Sequence, residues 1–350
     1  MQHLELESLY TPEYEEAFQE HLSHLTSLTF LSVSFICMNR IAATAVRNAL
    51  YACTSLAHLS LENDGGCSCV HQGRVGCTCK QCPTRVLWAL PSLSQLTHLR
   101  LSGFFLDPAD GAVVLSKLPQ LVHLDSHNMF NWGKRAERLP QAIVAAVGRM
   151  RNLQALNASG LHLSTSATGE MLRMLPVAHL TFLDLQGNCL PPDVGACIAA
   201  LTSLRELSTT GCLLPSNACS HFSALVCLKK LSVLGSQLNE QSMLSLLRTL
   251  PAAVLDLELA CNDFPLHAAA PLGALTGLQR LSIGWMRCGD DQMAKAVAQH
   301  LTGLRSLCSL QLHFGWSSAS AVARGALAAS VKALPVLSAN ARRACLASLE

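Results

Sequence analysis

At 350 residues, half of them hydrophobic and 14% charged, the chain is long enough to bury a large core, while a net charge of +2 excludes bulk electrostatic attraction to nucleic acid. The start Met1-Gln-His-Leu-Glu-Leu-Glu-Ser-Leu9 lacks the basic head and apolar centre of a secretory signal. The late apolar stretch 319–337 is interrupted by Arg324, Lys332 and Pro335, so neither a membrane nor nucleic acid is expected as a partner.

In chain order, a pattern L-x-x-L-x-L begins at Leu28, Leu56, Leu96, Leu121, Leu153, Leu180, Leu204, Leu228, Val254, Leu278 and Leu307. Most copies are 24 to 29 residues apart. Within each copy apolar and polar residues alternate, which predicts a short strand with its leucines inward. Ahead of the first copy, Leu4, Leu6 and Leu9 fit a strand with the same inward set, followed by a helix from Glu13 to Leu25. Residues 1–27 read as a truncated or capping first repeat, whose leucines need cover from that helix with its acidic residues, from a preceding segment or from a partner.

Leu56 and Leu96 stand 40 residues apart, and the excess is a Cys-rich insertion over 65–82. It carries Cys67, Cys69, His71, Cys77, Cys79 and Cys82. Four such ligands suffice for a tetrahedral structural zinc, although the Cys-x-Cys pairs are tighter than in zinc ribbons. The alternative is a glycine-rich loop whose thiols do nothing specific. Trp88, at helical spacing with Val86 and Leu90, reads as core, as do Phe104 and Phe105. At Ser126 and Ala158 the second strand leucine is replaced, which predicts a thinner core. Trp132 lies on a lengthened connection, and Trp285 and Trp316 follow strands near one rim; all three are candidate loop contacts.

The clearest copy, Leu180-Thr-Phe-Leu183-Asp-Leu185-Gln-Gly-Asn188-Cys-Leu190, closes on an asparagine, a position that Cys212 occupies one copy later. Cys53, Cys197, Cys227 and Cys345 fall in helical or core-like contexts, where a free thiol behaves as a small hydrophobe. Between strands the period becomes helical: Asp290 to Leu301 reads as a helix with Met293, Ala296, Val297 and Leu301 on one side. Residues 317–350 read as a degenerate capping repeat.

Strand, asparagine or cysteine turn, then helix resembles the leucine-rich repeat family over almost the whole chain, and Cys288 to Leu312 is similar to its ribonuclease-inhibitor type. The resemblance implies an α/β solenoid of about 11–13 repeats, a horseshoe with a parallel concave sheet and helices on the convex side, forming one domain over 1–350. A monomer is expected. Sixteen cysteines without a secretory signal favour reduced thiols in the cytoplasm. Resemblance alone adds the cytoskeleton or the ciliary axoneme as settings.

Outward strand positions are then the place to seek function. One column runs Phe30, His58, His98, His123, Ala155, Phe182, Glu206, Lys230, Asp256, Arg280, Ser309. The next includes Arg100, Asp125, Asp184 and Glu258, and His127 stands beside them. Strands about 4.8 Å apart would stack His58, His98 and His123 into a ladder whose charge is expected to rise below about pH 6.5. The function expected is a non-catalytic scaffold that binds a protein partner on this wall. No nucleophile elbow, phosphate loop or metalloprotease helix is present, and the scattered Ser, His and Asp residues show no triad spacing. Two alternatives come from the resemblance. One is the recognition half of a larger protein, a NOD-like sensor or a ubiquitin-ligase substrate receptor. The other is a Ran-type GTPase activator, weakened because the chain ends Ala-Arg-Arg-Ala-Cys-Leu-Ala-Ser-Leu-Glu350 and not in a long acidic tail.

Overall fold

The computed structural model describes residues 2–10, 24–37, 40–63, 86–102, 108–127, 140–284, 291–313 and 319–349. They form two compact units, Met1–Leu180 and Thr181–Glu350. Unit 1 holds strands β1 (His3–Tyr10), β2 (Phe30–Cys37), β3 (His58–Asn63), β4 (His98–Ser102), β5 (His123–Asp125) and β6 (Ala155–Asn157), each parallel to the next. Unit 2 repeats the scheme with β7 (Phe182–Asp184), β8 (Glu206–Ser208), β9 (Lys230–Ser232), β10 (Asp256–Glu258), β11 (Arg280–Ile283) and β12 (Ser309–Leu312).

The register sets leucine against leucine. Leu31, Leu59, Leu99, Leu124 and Leu156 align in unit 1, Leu183, Leu207, Leu231, Leu257, Leu281 and Leu310 in unit 2, and none is more than 2% exposed. A one-residue slip would turn each ladder out to water, so burial of about 1.5–3 kcal/mol per leucine fixes the pairing. Ser126 and Ala158 replace the second inward leucine and remain buried; the Ser126 hydroxyl donates to the Asn157 carbonyl at 3.1 Å.

Parallel neighbours require a crossover, which helices of very different length provide. Thr165–Met174 starts at Ser164, whose Oγ accepts from the Ala167 amide, and Glu240–Thr249 starts at Asn239, whose Oδ1 accepts from the Ser242 amide. Both stop at a leucine followed by proline, Leu175-Pro176 and Leu250-Pro251, since the residue before proline avoids the helical region. In the 24-residue repeats the crossover shrinks to a 3-10 turn, as at Ala218–Ala224.

The turns that follow β7 to β10 form a polar ladder of their own. Asn188 Nδ2 donates to the Leu185 carbonyl at 2.9 Å, Cys212 Sγ also donates to Leu185 at 3.1 Å, and Ser236 Oγ donates to Thr209 at 2.7 Å. Asn262 Nδ2 donates to Val233 and Leu259, while its Oδ1 accepts from the Leu238 amide. These side chains are buried, so each bond also satisfies a backbone group that water cannot reach. The preceding residue has positive φ, supplied by Gly187, Gly211 and Gly235 and, in the fourth turn, by Cys261 itself at 59°.

Several expectations need correction. Trp88 is not core but 45% exposed, because the chain leaves helix after Leu87 and resumes as the 3-10 turn Leu90–Ser92, which breaks the helical spacing with Val86 and Leu90. Cys227 is exposed, since it lies in the turn before Leu228. The helix Asp291–Leu301 buries Ala294, Val297, Ala298 and Leu301, leaving Met293 and Ala296 partly exposed. Its buried stripe is rotated to include the small residues Ala294 and Ala298. In β1, Leu4 and Leu6 pair with Leu31 and Val33 and are partly buried, but the register shifts before Leu9. Over 317–350 the chain makes two helices, Ala321–Ala333 and Ala339–Ala347, the second lying against β12. The helix expected over 13–25 falls almost wholly outside the described residues, as do Phe104 and Phe105.

Candidate functional site

Because side chains alternate across a strand, the residues between the buried leucines of β1 to β6 share one open face. Parallel register places them in columns. The first column is a stack of rings: His3 on Phe30 with centroids 4.0 Å apart, Phe30 to His58 at 5.9 Å and tilted 31°, His58 on His98 at 3.8 Å, His98 on His123 at 4.2 Å. Strand spacing dictates this stack, since five consecutive strands each present a planar side chain at one register position. Thr97 Oγ1 lies 2.9 Å from His98 Nδ1 and fixes the ring's rotation.

Burial, then the imidazoles of His123 and His58, lower His98 to about 4. His123 is lowered by burial and then by His58. At the centre of the ladder the expected rise in charge is therefore displaced to lower pH. Charging one stacked ring would desolvate a cation beside others that are close enough to charge as well.

Beside the rings runs a chain of ionic and hydrogen-bonded groups. Arg100 Nε lies 2.9 Å from Glu62 Oε1 and 3.6 Å from Asp125 Oδ2. Asp125 Oδ1 lies 2.7 Å from His127 Nδ1, and His127 Nε2 lies 2.7 Å from Ser102 Oγ. Asp125, His127 and Ser102 thus make the contacts of a Ser-His-Asp relay, which sequence spacing failed to suggest. Ser102 is the register partner of Glu62, and His127 follows β5 by two residues, so extending the column reading by one position would have added Ser102 and Glu62 to His127; extending it one strand back would have added His3. Hydrolysis by such a relay also needs oxyanion donors and exclusion of water. Here the Asp125 and His127 side chains are 29% and 23% exposed, and Arg100 faces the free side of the carboxylate. These contacts hold Arg100 and His127 in fixed orientations on the face.

The open face of unit 2 is organised differently. Asp256, its side chain only 8% exposed, accepts from Arg280 Nε at 2.9 Å and Nη2 at 2.8 Å and has Lys230 Nζ at 3.9 Å. The hydrogen bond to Asp256 and its charge raise Arg280 further above its ordinary value. Ser232 donates to Glu258 at 2.6 Å and meets Thr210 at 2.8 Å. Phe182 is partly buried and Glu206 exposed, while the Asp184 carboxylate accepts from the Gln186 amide.

Trp132, Trp285 and Trp316 lie outside the described residues, as does the Cys67 to Cys82 cluster with its zinc expectation. Among the described residues no group of three or more His, Cys, Asp or Glu is arranged to hold a metal ion. No helix among them is long and apolar enough to cross a membrane.

The leucine ladders, parallel register and alternating crossovers decide the fold. Both units are leucine-rich repeat arrays. No family model and no curated protein matches the sequence. Among solved structures it is similar to an internalin of Listeria monocytogenes, at 15% identity and a TM-score of 0.49, covering 93% of this chain and 94% of that one. It is also similar to the Rad7 and Elc1 complex of yeast, again at 15% identity and a TM-score of 0.49, covering 88% of this chain and 75% of that one. At that distance neither transfers a partner or an activity.

Proposed function

We propose that the protein is a non-catalytic scaffold that binds a protein partner on the open strand face. The observation that carries this reading is the ring stack from His3 to His123, with the Glu62-Arg100-Asp125-His127 chain beside it. Ordered planar groups and pre-oriented charges on a partly exposed face lose little side-chain entropy on binding, which favours an interface over a merely solvated surface. The buried cysteines Cys53, Cys212, Cys219 and Cys345 are free thiols, which fits a cytoplasmic setting.

The test is quantitative affinity capture from cells with the parent, a face variant carrying His98→Ala and Arg100→Ala, and a helix-side control, Trp88→Ala. Circular dichroism would verify folding in each. A partner retained by the parent and the control but absent from the face variant is expected. Identical capture by all three rejects the strand face as the binding surface. The relay supplies a separate check on catalysis: Ser102 should not react with a fluorophosphonate probe, whereas labelling at Ser102 that disappears in His127→Ala would make the chain a hydrolase.

A further inference from the structure

The rings of the stack have spent their faces on one another. Centroids 3.8 and 4.2 Å apart, with interplanar angles of 22° and 13°, put His58, His98 and His123 face to face in van der Waals contact. His3 lies on Phe30 in the same way, at 4.0 Å and 9°. The stacking direction runs from strand to strand, so the ring planes stand up from the sheet and their distal edges point away from it. Phe30, His58, His98 and His123 are each partly exposed, and edges are what they present to the open side.

A row of edges selects a different occupant from a ring face, because an aromatic ring carries a negative face and a positive edge. Cations seek the face, which here is taken by the neighbouring ring. His98 and His123 are uncharged near neutral pH: burial, then His123 and His58, hold His98 down at about 4, and burial, then His58, lowers His123. Beside the row, Arg100 lies between Glu62 and Asp125, and Asp125 holds His127, so those charges are engaged with one another. What remains is a neutral strip of positive ring edges, whose electrostatic complement is the negative face of another ring.

Resting on the reading of this face as an interface, we infer that the partner docks an aromatic side chain edge-to-face on the ladder, its π face laid across the distal edges of His58, His98 and His123. Aromatic pairs prefer this T-shaped arrangement or offset stacking, and the second is closed along the row because the faces already meet. Aromatic side chains are also the anchors that contribute most to protein interfaces.

NMR of the imidazole Hε1 protons, which sit on the distal edges, tests the inference with N-acetyl amides of single amino acids added to the intact chain. The phenylalanine amide is expected to move Hε1 of His58, His98 and His123 upfield, into the shielding region of its ring. The cyclohexylalanine amide, similar in shape but without a π face, should not bind, nor should the glutamate and arginine amides. Pentafluorophenylalanine inverts the ring's charge distribution and should bind about two- to tenfold more weakly than phenylalanine. His98→Ala removes the middle edge and should abolish the shifts at His58 and His123; the amide series on the parent decides the matter if that variant fails to fold. No upfield shift at millimolar phenylalanine amide, equal binding of the cyclohexyl or pentafluoro analogue, or shifts that survive His98→Ala overturn the inference. If the phenylalanine amide fails while His98→Ala with Arg100→Ala still loses its captured partner, the face remains an interface and only its proposed occupant is wrong.

Discussion

A histidine on the middle rung of a stack behaves unlike one in water. The unfolded chain takes up a proton on His98 near pH 6.5, but the folded chain does so only near 4, because burial and the flanking imidazoles oppose the cation. Between those values the unfolded state holds the extra proton. Stability is therefore complete above about pH 6.5 and is lost as pH falls toward 4; His123 acts in the same direction. With solvent screening taken into account, the effect of His98 is on the order of 1 kcal/mol. Urea unfolding at pH 7.5 and pH 5 should show the parent losing more stability on acidification than His98→Gln, whatever the absolute cost of removing the ring. Parallel pH profiles would show that the stack does not hold His98 neutral. His58, His98 and His123 are recognisable as one column because a 24 to 40 residue period aligns them, and stacking follows from strand spacing. Their protonation is not readable in the same way, because it depends on burial, which spacing alone does not give.

Among elements, strands were far easier to read than what joins them. A strand here must place leucine at every second position, and that requirement is written directly in the residues. A crossover must only cover the leucines, so thirteen residues of helix at Arg40–Ala52 and five at Ala269–Gly273 serve alike, and Trp88 falls outside a helix its neighbours suggest. The last described element shows the same latitude. Where another strand would pair with β12, the helix Ala339–Ala347 lies instead: the Ser338 amide donates to the Cys308 carbonyl at 3.2 Å, and Cys345 Sγ donates to Leu310 at 2.9 Å. Arg342 reaches back to the Leu334 carbonyl at 2.8 Å, and Leu337, Cys345 and Leu349 are buried. This helix covers both the leucine ladder and the edge of the sheet, which would otherwise template pairing with another chain. Removing residues 338–350 should cost about 3–5 kcal/mol from the apolar side chains uncovered and should produce concentration-dependent self-association in sedimentation velocity. A truncated chain that stays monomeric with an unchanged melting temperature would mean the helix is not a cap.

At the scale of the whole molecule, the period-two alternation separates two jobs that most folds mix. Within one strand, adjacent residues belong to different systems: Leu281 is 2% exposed and faces the ladder, while the side chain of Arg280 is 60% exposed and faces outward. In the other unit, Leu99 is likewise 2% exposed, and the neighbouring Arg100 side chain is 49% exposed. Leu281→Ala and Leu99→Ala should each cost about 2–5 kcal/mol, since each removes buried methyl groups and leaves a cavity that aligned leucines cannot close. Arg100→Ala should cost under about 1 kcal/mol, as its ion pairs are largely solvated, whereas Arg280→Ala should cost more than that but less than Leu281→Ala, because it leaves the buried Asp256 carboxylate with only Lys230 beside it. Denaturant unfolding of the four variants would therefore give a stability effect that alternates residue by residue along the strand. Partner capture should give the opposite alternation for Arg100 and Leu99, provided the leucine variant is assayed where it remains folded. If outward substitutions proved as destabilising as inward ones, the open face would be part of the folding core. Its rings and charges would then require no partner to explain them.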